Sequence, residues 1–221
     1  MDASERLSLV PTPTGLDSLR VQRDHGGFAT LHSLHDPWEE ACRFSESLPI
    51  KDGTSFLVVL GTALGYHILA LSHRVRSMPK PPTVWAVEMD EAIASVCKER
   101  TDLGLFLGLP GSRLLGPKDL DALKTLEGLP DTAEVLVARH PASYALHRQE
   151  YMAWEAILED QAARRRVACR LPALRARLDA VPGAEGVARV REAARSVLRD
   201  GPPYGDGELA LLLLDRVHHY E

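Results

Sequence analysis

One pattern constrains this chain more than any other. Between Ser55 and Arg139, four short apolar runs alternate with stretches of helical spacing. SFLVVLG, from Ser55, is a continuous apolar run of strand length, as in a strand covered on both faces. The turn Gly61-Thr62-Ala63-Leu64-Gly65 follows, then YHILALSHRVRS with helical periodicity. TVWAVE is a second buried strand that closes on Glu88, and MDEAIASVCKER a second helix. SRLLG (112–116) is a weaker strand, KDLDALKTLEG a third helix, and AEVLVAR (133–139) the last strand. Such a β–α alternation with short connections predicts a parallel sheet covered by helices. The predicted fold class is α/β, Rossmann-like, with strands near 56–60, 83–87, 112–116 and 134–138 in the order 3-2-1-4.

Elements flank this unit on both sides. Ser18–Arg23 and Phe28–His32 surround Asp24-His25-Gly26-Gly27, which predicts a β-hairpin. In HDPWEEACRFSESL, Asp36 fits the N-cap, Pro37 the first helical position and Glu39 the third, so a helix should run to about Leu48 and bury Ala41, Phe44 and Leu48. Residues 1–16 read as a loose tail because Pro11, Pro13 and Gly15 interrupt any pattern. After His140 the strand signals stop, and Tyr151–Arg170, Leu174–Val181, Glu185–Arg199 and Glu208–Tyr220 read as helices. The expected division is a tail (1–16), a hairpin plus Rossmann-like domain (17–150) and a helical C-terminal region (151–221).

Charge is unevenly placed. Residues 161–200 hold ten Arg against four acids, a net of +6, which leaves −11 on the remainder of a chain whose total is −5. No aromatic interrupts that Arg-rich tract, so it offers no stacking platform for single-stranded nucleic acid. The overall acidity also argues against a protein built for nucleic acid. The basic faces are expected instead to meet acidic surface of the same chain, a second copy or a partner protein. No apolar run is long enough to span a bilayer. The acidic start MDASER is unlike a signal peptide, and three scattered cysteines form no disulfide framework, so a cytoplasmic location without membrane contact is expected.

Candidate chemistry gathers after the strands. A doubly wound sheet binds ligands beyond the C-terminal ends of its strands. Gly61, Thr62 and Gly65 form a turn over which a ligand's backbone contacts would lie, and Tyr66 and His67 begin the helix behind it. Glu88, at the second strand end, is placed to accept hydrogen bonds from ribose hydroxyls. Arg139 and His140 follow the last strand, where a guanidinium suits a phosphate or carboxylate and an imidazole suits a general base. The dinucleotide pattern GxGxxG fails at Ala63. Methyltransferases that use S-adenosylmethionine place a carboxylate two residues before the first glycine, where this chain has Val59. His32-Ser33-Leu34-His35-Asp36 resembles a fragment of a metal site, but no further ligand lies at suitable spacing, so no metal is expected. No nucleophile motif is present, and no catalytic residue can be assigned.

Three segments together resemble the N-terminal region of the bacterial motility accessory factor family: LHSLHDPWEEACRF, FLVVLGTALGYHILAL and VWAVEMD, over residues 28–150. The resemblance implies flagellin glycosylation, with nonulosonic sugars transferred from nucleotide donors. The family's central transferase domain has no counterpart here. The chain is therefore expected to be a stand-alone accessory or binding module, holding a nucleotide-like ligand or a partner protein. The alternatives are an S-adenosylmethionine-dependent methyltransferase with a degenerate glycine turn, or a scaffold without a small-molecule site. The candidate ligands are accordingly S-adenosylmethionine or a nucleotide sugar.

Overall fold

A computed structural model of the protein describes residues 6–23, 26–119, 121–123, 126, 129 and 133–162. Its first element was not expected. Strand β1 (Leu7–Pro11) pairs antiparallel with β2 (Asp17–Gln22), so residues read as a loose tail belong to a sheet. The breakers that suggested a tail build the turn instead. Pro11 closes the strand, and Gly15 takes φ +82° inside the turn where the Thr12 N–H meets the Leu16 carbonyl. Strand β3 (Phe28–Thr30) pairs antiparallel with β2, as the hairpin reading anticipates, and the sheet order is β1-β2-β3.

Helix α1 (Pro37–Ser47) starts as its sequence dictates. The Asp36 carboxylate accepts the Glu39 N–H at 2.8 Å, and Pro37 occupies the first turn, where no N–H is needed. The parallel sheet follows: β4 (Thr54–Leu60), helix α2 (Tyr66–Arg76), β5 (Thr83–Val87), helix α3 (Glu91–Arg100), the single turn α4 (Gly104–Leu107), β6 (Arg113–Leu115) and β7 (Glu134–Arg139). The expected α/β class is borne out. β4 pairs parallel with both β5 and β7, β5 pairs parallel with β6, and the sheet order is β6-β5-β4-β7. Leu57, Val58, Val59 and Leu60 have no exposed surface, as the unbroken apolar run requires of a central strand.

Helix α5 (Pro141–Leu146) follows β7 directly, with Pro141 opening a helix rather than merely ending the strand. Residues 148–162 are helical as well, which is as much of the C-terminal region as is described; the Arg-rich tract from residue 163 and the expected helices beyond residue 162 lie outside the described residues. Of the helix expected over 118–128, residues 120, 124, 125, 127 and 128 also lie outside them, and 121–123 form a 3₁₀ turn rather than an α-helix. The chain divides into one unit of residues 1–124 with 134–156, and a second of residues 125–133 with 157–221. The first unit carries every candidate site residue and reaches past residue 150 to include Tyr151 and Trp154, both almost fully buried.

Two apolar clusters hold the first unit together. Leu57, Val59, Leu71, Val84, Cys97 and Phe106 join the parallel sheet to its helices. Leu19, Val21, Leu31, Ala41, Leu64 and Ile93 join the hairpin sheet to the helices. Each fully buried Leu, Ile or Phe contributes about 1.5–3 kcal/mol. Cys42 and Cys97 are free thiols, and burial pushes the Cys97 thiol up to about 12, so it stays protonated at neutral pH. Among the described residues no helix is long and apolar enough to cross a membrane.

Candidate functional site

The backbone ladder of the parallel sheet continues just past its strands. Gly61 N–H bonds the Val87 carbonyl, Glu88 N–H the Leu115 carbonyl and His140 N–H the Leu60 carbonyl. Gly61, Glu88 and His140 therefore stand side by side at the C-terminal edge, where the sequence pattern puts them. What differs is their access to solvent.

Glu88 has no exposed surface. Its Oε2 accepts from the backbone N–H of Thr62 at 2.8 Å and from the Thr62 hydroxyl at 2.9 Å. Its Oε1 accepts from Asp90 N–H at 3.1 Å and from the Tyr151 hydroxyl at 3.2 Å. Burial pushes the carboxyl above its usual range, while the bonds from Thr62 and Tyr151 pull against that shift. A carboxylate engaged by four protein donors is a brace between the glycine turn, the start of α3 and the helix carrying Tyr151. The expected role as a ribose acceptor does not fit this arrangement, because Tyr151, from 63 positions along the chain, covers it. Replacing Glu88 with Ala leaves at least two buried backbone donors without partners, and is expected to lower stability by about 3 kcal/mol in a denaturant titration. A loss under 1 kcal/mol would mean that water takes over the acceptors' place.

The turn is closed in the same way. Gly61 lies at φ +96°, and a Cβ added there would come within 2.3 Å of the Ser143 Cβ. At Gly65, with φ +80°, an added Cβ would lie 3.0 Å from Cys97 Sγ and 3.1 Å from Leu103 Cδ2. At both glycines the space that a Cβ would take is occupied by protein side chains. Ala63 takes φ +45°, a left-handed conformation that costs a non-glycine residue roughly 1–2 kcal/mol. Its methyl is fully buried in the second apolar cluster, which returns about 0.8 kcal/mol. Glycine here would relieve the strain but lose that methyl and about 0.5–1 kcal/mol of chain entropy. Ala63→Gly is accordingly expected to change stability by under about 0.5 kcal/mol. A gain well above 1 kcal/mol would show that backbone strain dominates.

The remaining candidates separate. Arg139 leaves the edge: its guanidinium pairs with Glu155 and lies over the Tyr144 ring. Tyr66 donates its hydroxyl to the Asp17 carbonyl at 3.1 Å and so ties α2 to the hairpin sheet. His67 and His140 come together, their rings stacked with centroids 4.2 Å apart and 6° between planes. A third imidazole joins them that the sequence reading set aside. His32, after β3, lies 5.3 Å from the His140 ring and 5.9 Å from that of His67. One nitrogen from each of the three lies within 4.8 Å of the others, and all three residues are buried. The expectation of no metal rested on spacing along the chain; the fold brings in the two partners from α2 and from the end of β7.

The protonation of this group follows from its bonds. The Gly61 carbonyl can only accept, so the His67 Nε2 that meets it at 2.9 Å carries the proton. Burial, then the neighbouring His32, pushes His67 down to about 3, so its ring is neutral and Nδ1 is a bare lone pair. That buried Nδ1 has no hydrogen-bond partner among the described residues. His140 caps α5: its Nδ1 accepts the Ser143 N–H at 3.4 Å and lies 2.8 Å from the Ser143 hydroxyl. Burial and the two other imidazoles push His140 well below the ordinary value too. His32 Nε2 accepts the Leu64 N–H at 3.0 Å, which leaves its proton on Nδ1, 3.7 Å from Glu40. Burial raises Glu40, but His32 and the Ser33 N–H outweigh it and hold the carboxyl below its usual range.

Two cavities lined by described residues lie elsewhere, one of about 530 Å³ beside Arg6, Arg23 and His147, the other of about 450 Å³ beside Lys98, Gly116 and Lys118. Neither includes the glycine turn or Glu88. No protein-family model and no curated protein matches this chain.

Proposed function

We propose that the protein is a non-catalytic accessory module that works by binding a partner protein or a second copy of itself. The observation that carries this reading is the closed sheet edge: Glu88 holds four internal donors, and Ser143 fills the space beside Gly61. A methyltransferase or a nucleotide-sugar binder of this architecture needs that edge open. The relation to the motility accessory factors stays part of the proposal. In its favour, the three segments that carry the resemblance interlock here, through His32 with Leu64 and Thr62 with Glu88. The Arg-rich tract, with its net of +6, supplies the charge for an acidic partner surface.

The test is a thermal-shift series with S-adenosylmethionine and with cytidine- and uridine-linked sugars. No shift is expected. A ligand held over the turn at 100 times its dissociation constant would add about 2.7 kcal/mol, roughly 5–10 °C for a chain of this size. Such a rise with S-adenosylmethionine would overturn the accessory reading in favour of the methyltransferase.

A further inference from the structure

We propose that His32, His67 and His140 bind one divalent transition-metal ion of the zinc class. The set is three nitrogen donors from three distant segments, converging within 4.8 Å. Nitrogen-only donors suit Zn²⁺, Co²⁺, Ni²⁺ or Cu²⁺ and are poor for Ca²⁺ and Mg²⁺, which take oxygen. A tetrahedral ion with bonds of about 2.0–2.1 Å spaces its ligands about 3.3 Å apart, so the rings must close by about 1.5 Å at most.

The outer contacts favour ligation. Metal-bound imidazoles hold their second nitrogen to a carbonyl, carboxylate or similar acceptor. Here the Gly61 carbonyl holds His67 Nε2 and Glu40 faces His32 Nδ1, whereas His140, whose Nδ1 accepts the Ser143 N–H, must change tautomer to ligate through Nε2 and then donates from Nδ1 to the Ser143 hydroxyl 2.8 Å away. Each ring is thereby steadied at one nitrogen. The clearest mark is His67 Nδ1, a buried lone pair without a partner among the described residues. A bound cation gives it one. Glu40, partly exposed, supplies negative charge beside the group and marks the side from which an ion approaches.

Two contacts oppose loading. His32 Nε2 must leave the Leu64 N–H, and the stacked His67–His140 pair must splay. The affinity is therefore lower than that of a preformed three-histidine site, and binding is expected at micromolar rather than picomolar ion concentrations. A solvent molecule completes the fourth position.

The experiment uses the full chain, stripped with chelator and titrated with Co²⁺, then with Zn²⁺ in competition. One equivalent should give the strong visible bands of four- or five-coordinate Co²⁺, displaced by one equivalent of Zn²⁺. X-ray absorption at the zinc edge should count three imidazoles. His67→Gln and His140→Gln should each weaken binding at least about 100-fold. His73→Gln, on the exposed side of α2, and the pair His218→Gln with His219→Gln should leave it unchanged. An octahedral Co²⁺ spectrum, fewer than three imidazoles at the zinc edge, or unaltered affinity in a folded His67→Gln overturns the proposal. If the variants do not fold, the absorption count on the unaltered chain decides it alone.

Discussion

Gly61→Ala is expected to destabilise the protein by about 4 kcal/mol, enough to unfold a chain of ordinary stability at moderate temperature. Two costs add. A side chain at φ +96° meets backbone strain of roughly 1–2 kcal/mol. The added Cβ also falls 2.3 Å from the Ser143 Cβ and 3.3 Å from the His140 Cβ, inside van der Waals contact. Relief requires α5 to move, and overpacking of this kind costs about 1–3 kcal/mol. The steric part is separable: Ser143→Gly removes the atom that is struck. In a double-mutant cycle followed by urea unfolding, Ser143→Gly should recover about 2 kcal/mol in the Gly61→Ala background. Simple additivity of the two changes would show that the turn, not α5, absorbs the clash. By the same reasoning a valine at Gly65 meets Cys97 and Leu103 and harms the fold itself.

Acid should weaken the metal-free protein steeply. His67 is held near 3 and His140 well below the ordinary value, whereas both titrate near 6.5 in the unfolded chain. Between those values the unfolded state binds more protons, so stability rises with pH and falls as pH drops below about 6.5. At pH 5 His67 forfeits about 2 kcal/mol relative to pH 7.5, and His140 adds a loss of the same sign. Glu40, with its lowered folded value, loses its contribution in the same direction at still lower pH. Glu88 works the other way: its raised folded value gives stability at low pH that is lost as pH rises through it. Guanidinium titrations with chelator at pH 7.5 and pH 5.0 measure the difference. Equal stability at both would show that these rings reach water when protonated.

The strands were legible because a strand covered on both faces must be apolar throughout, and SFLVVLG and TVWAV can be little else. The side-by-side placement of Gly61, Glu88 and His140 was legible for a related reason, since a parallel sheet aligns the ends of its strands. Their burial was not. It depends on Tyr151 and Ser143, which act across 63 and 82 positions, and spacing carries no record of such contacts. His32 misled in the opposite sense. Its neighbours His35 and Asp36 drew attention to a local motif, while its ring partners lie at 67 and 140. Helix α5 was missed because its cap is a histidine, a residue type seldom found in that role.

The Tyr151 contact also bears on how the chain assembles as it is made. Synthesis runs from the N-terminus, so the antiparallel sheet, whose strands are near neighbours, can pair first. The central strand β4 emerges before either of the strands that flank it, and the four-stranded sheet is complete only when β7 has appeared. Even then the acid at its edge still faces water, because the phenol that covers it has yet to leave the ribosome. Only when residue 151 follows does the carboxylate gain its fourth donor. A nascent chain paused a few residues earlier would hold a finished sheet whose edge carboxylate still lacks its fourth donor.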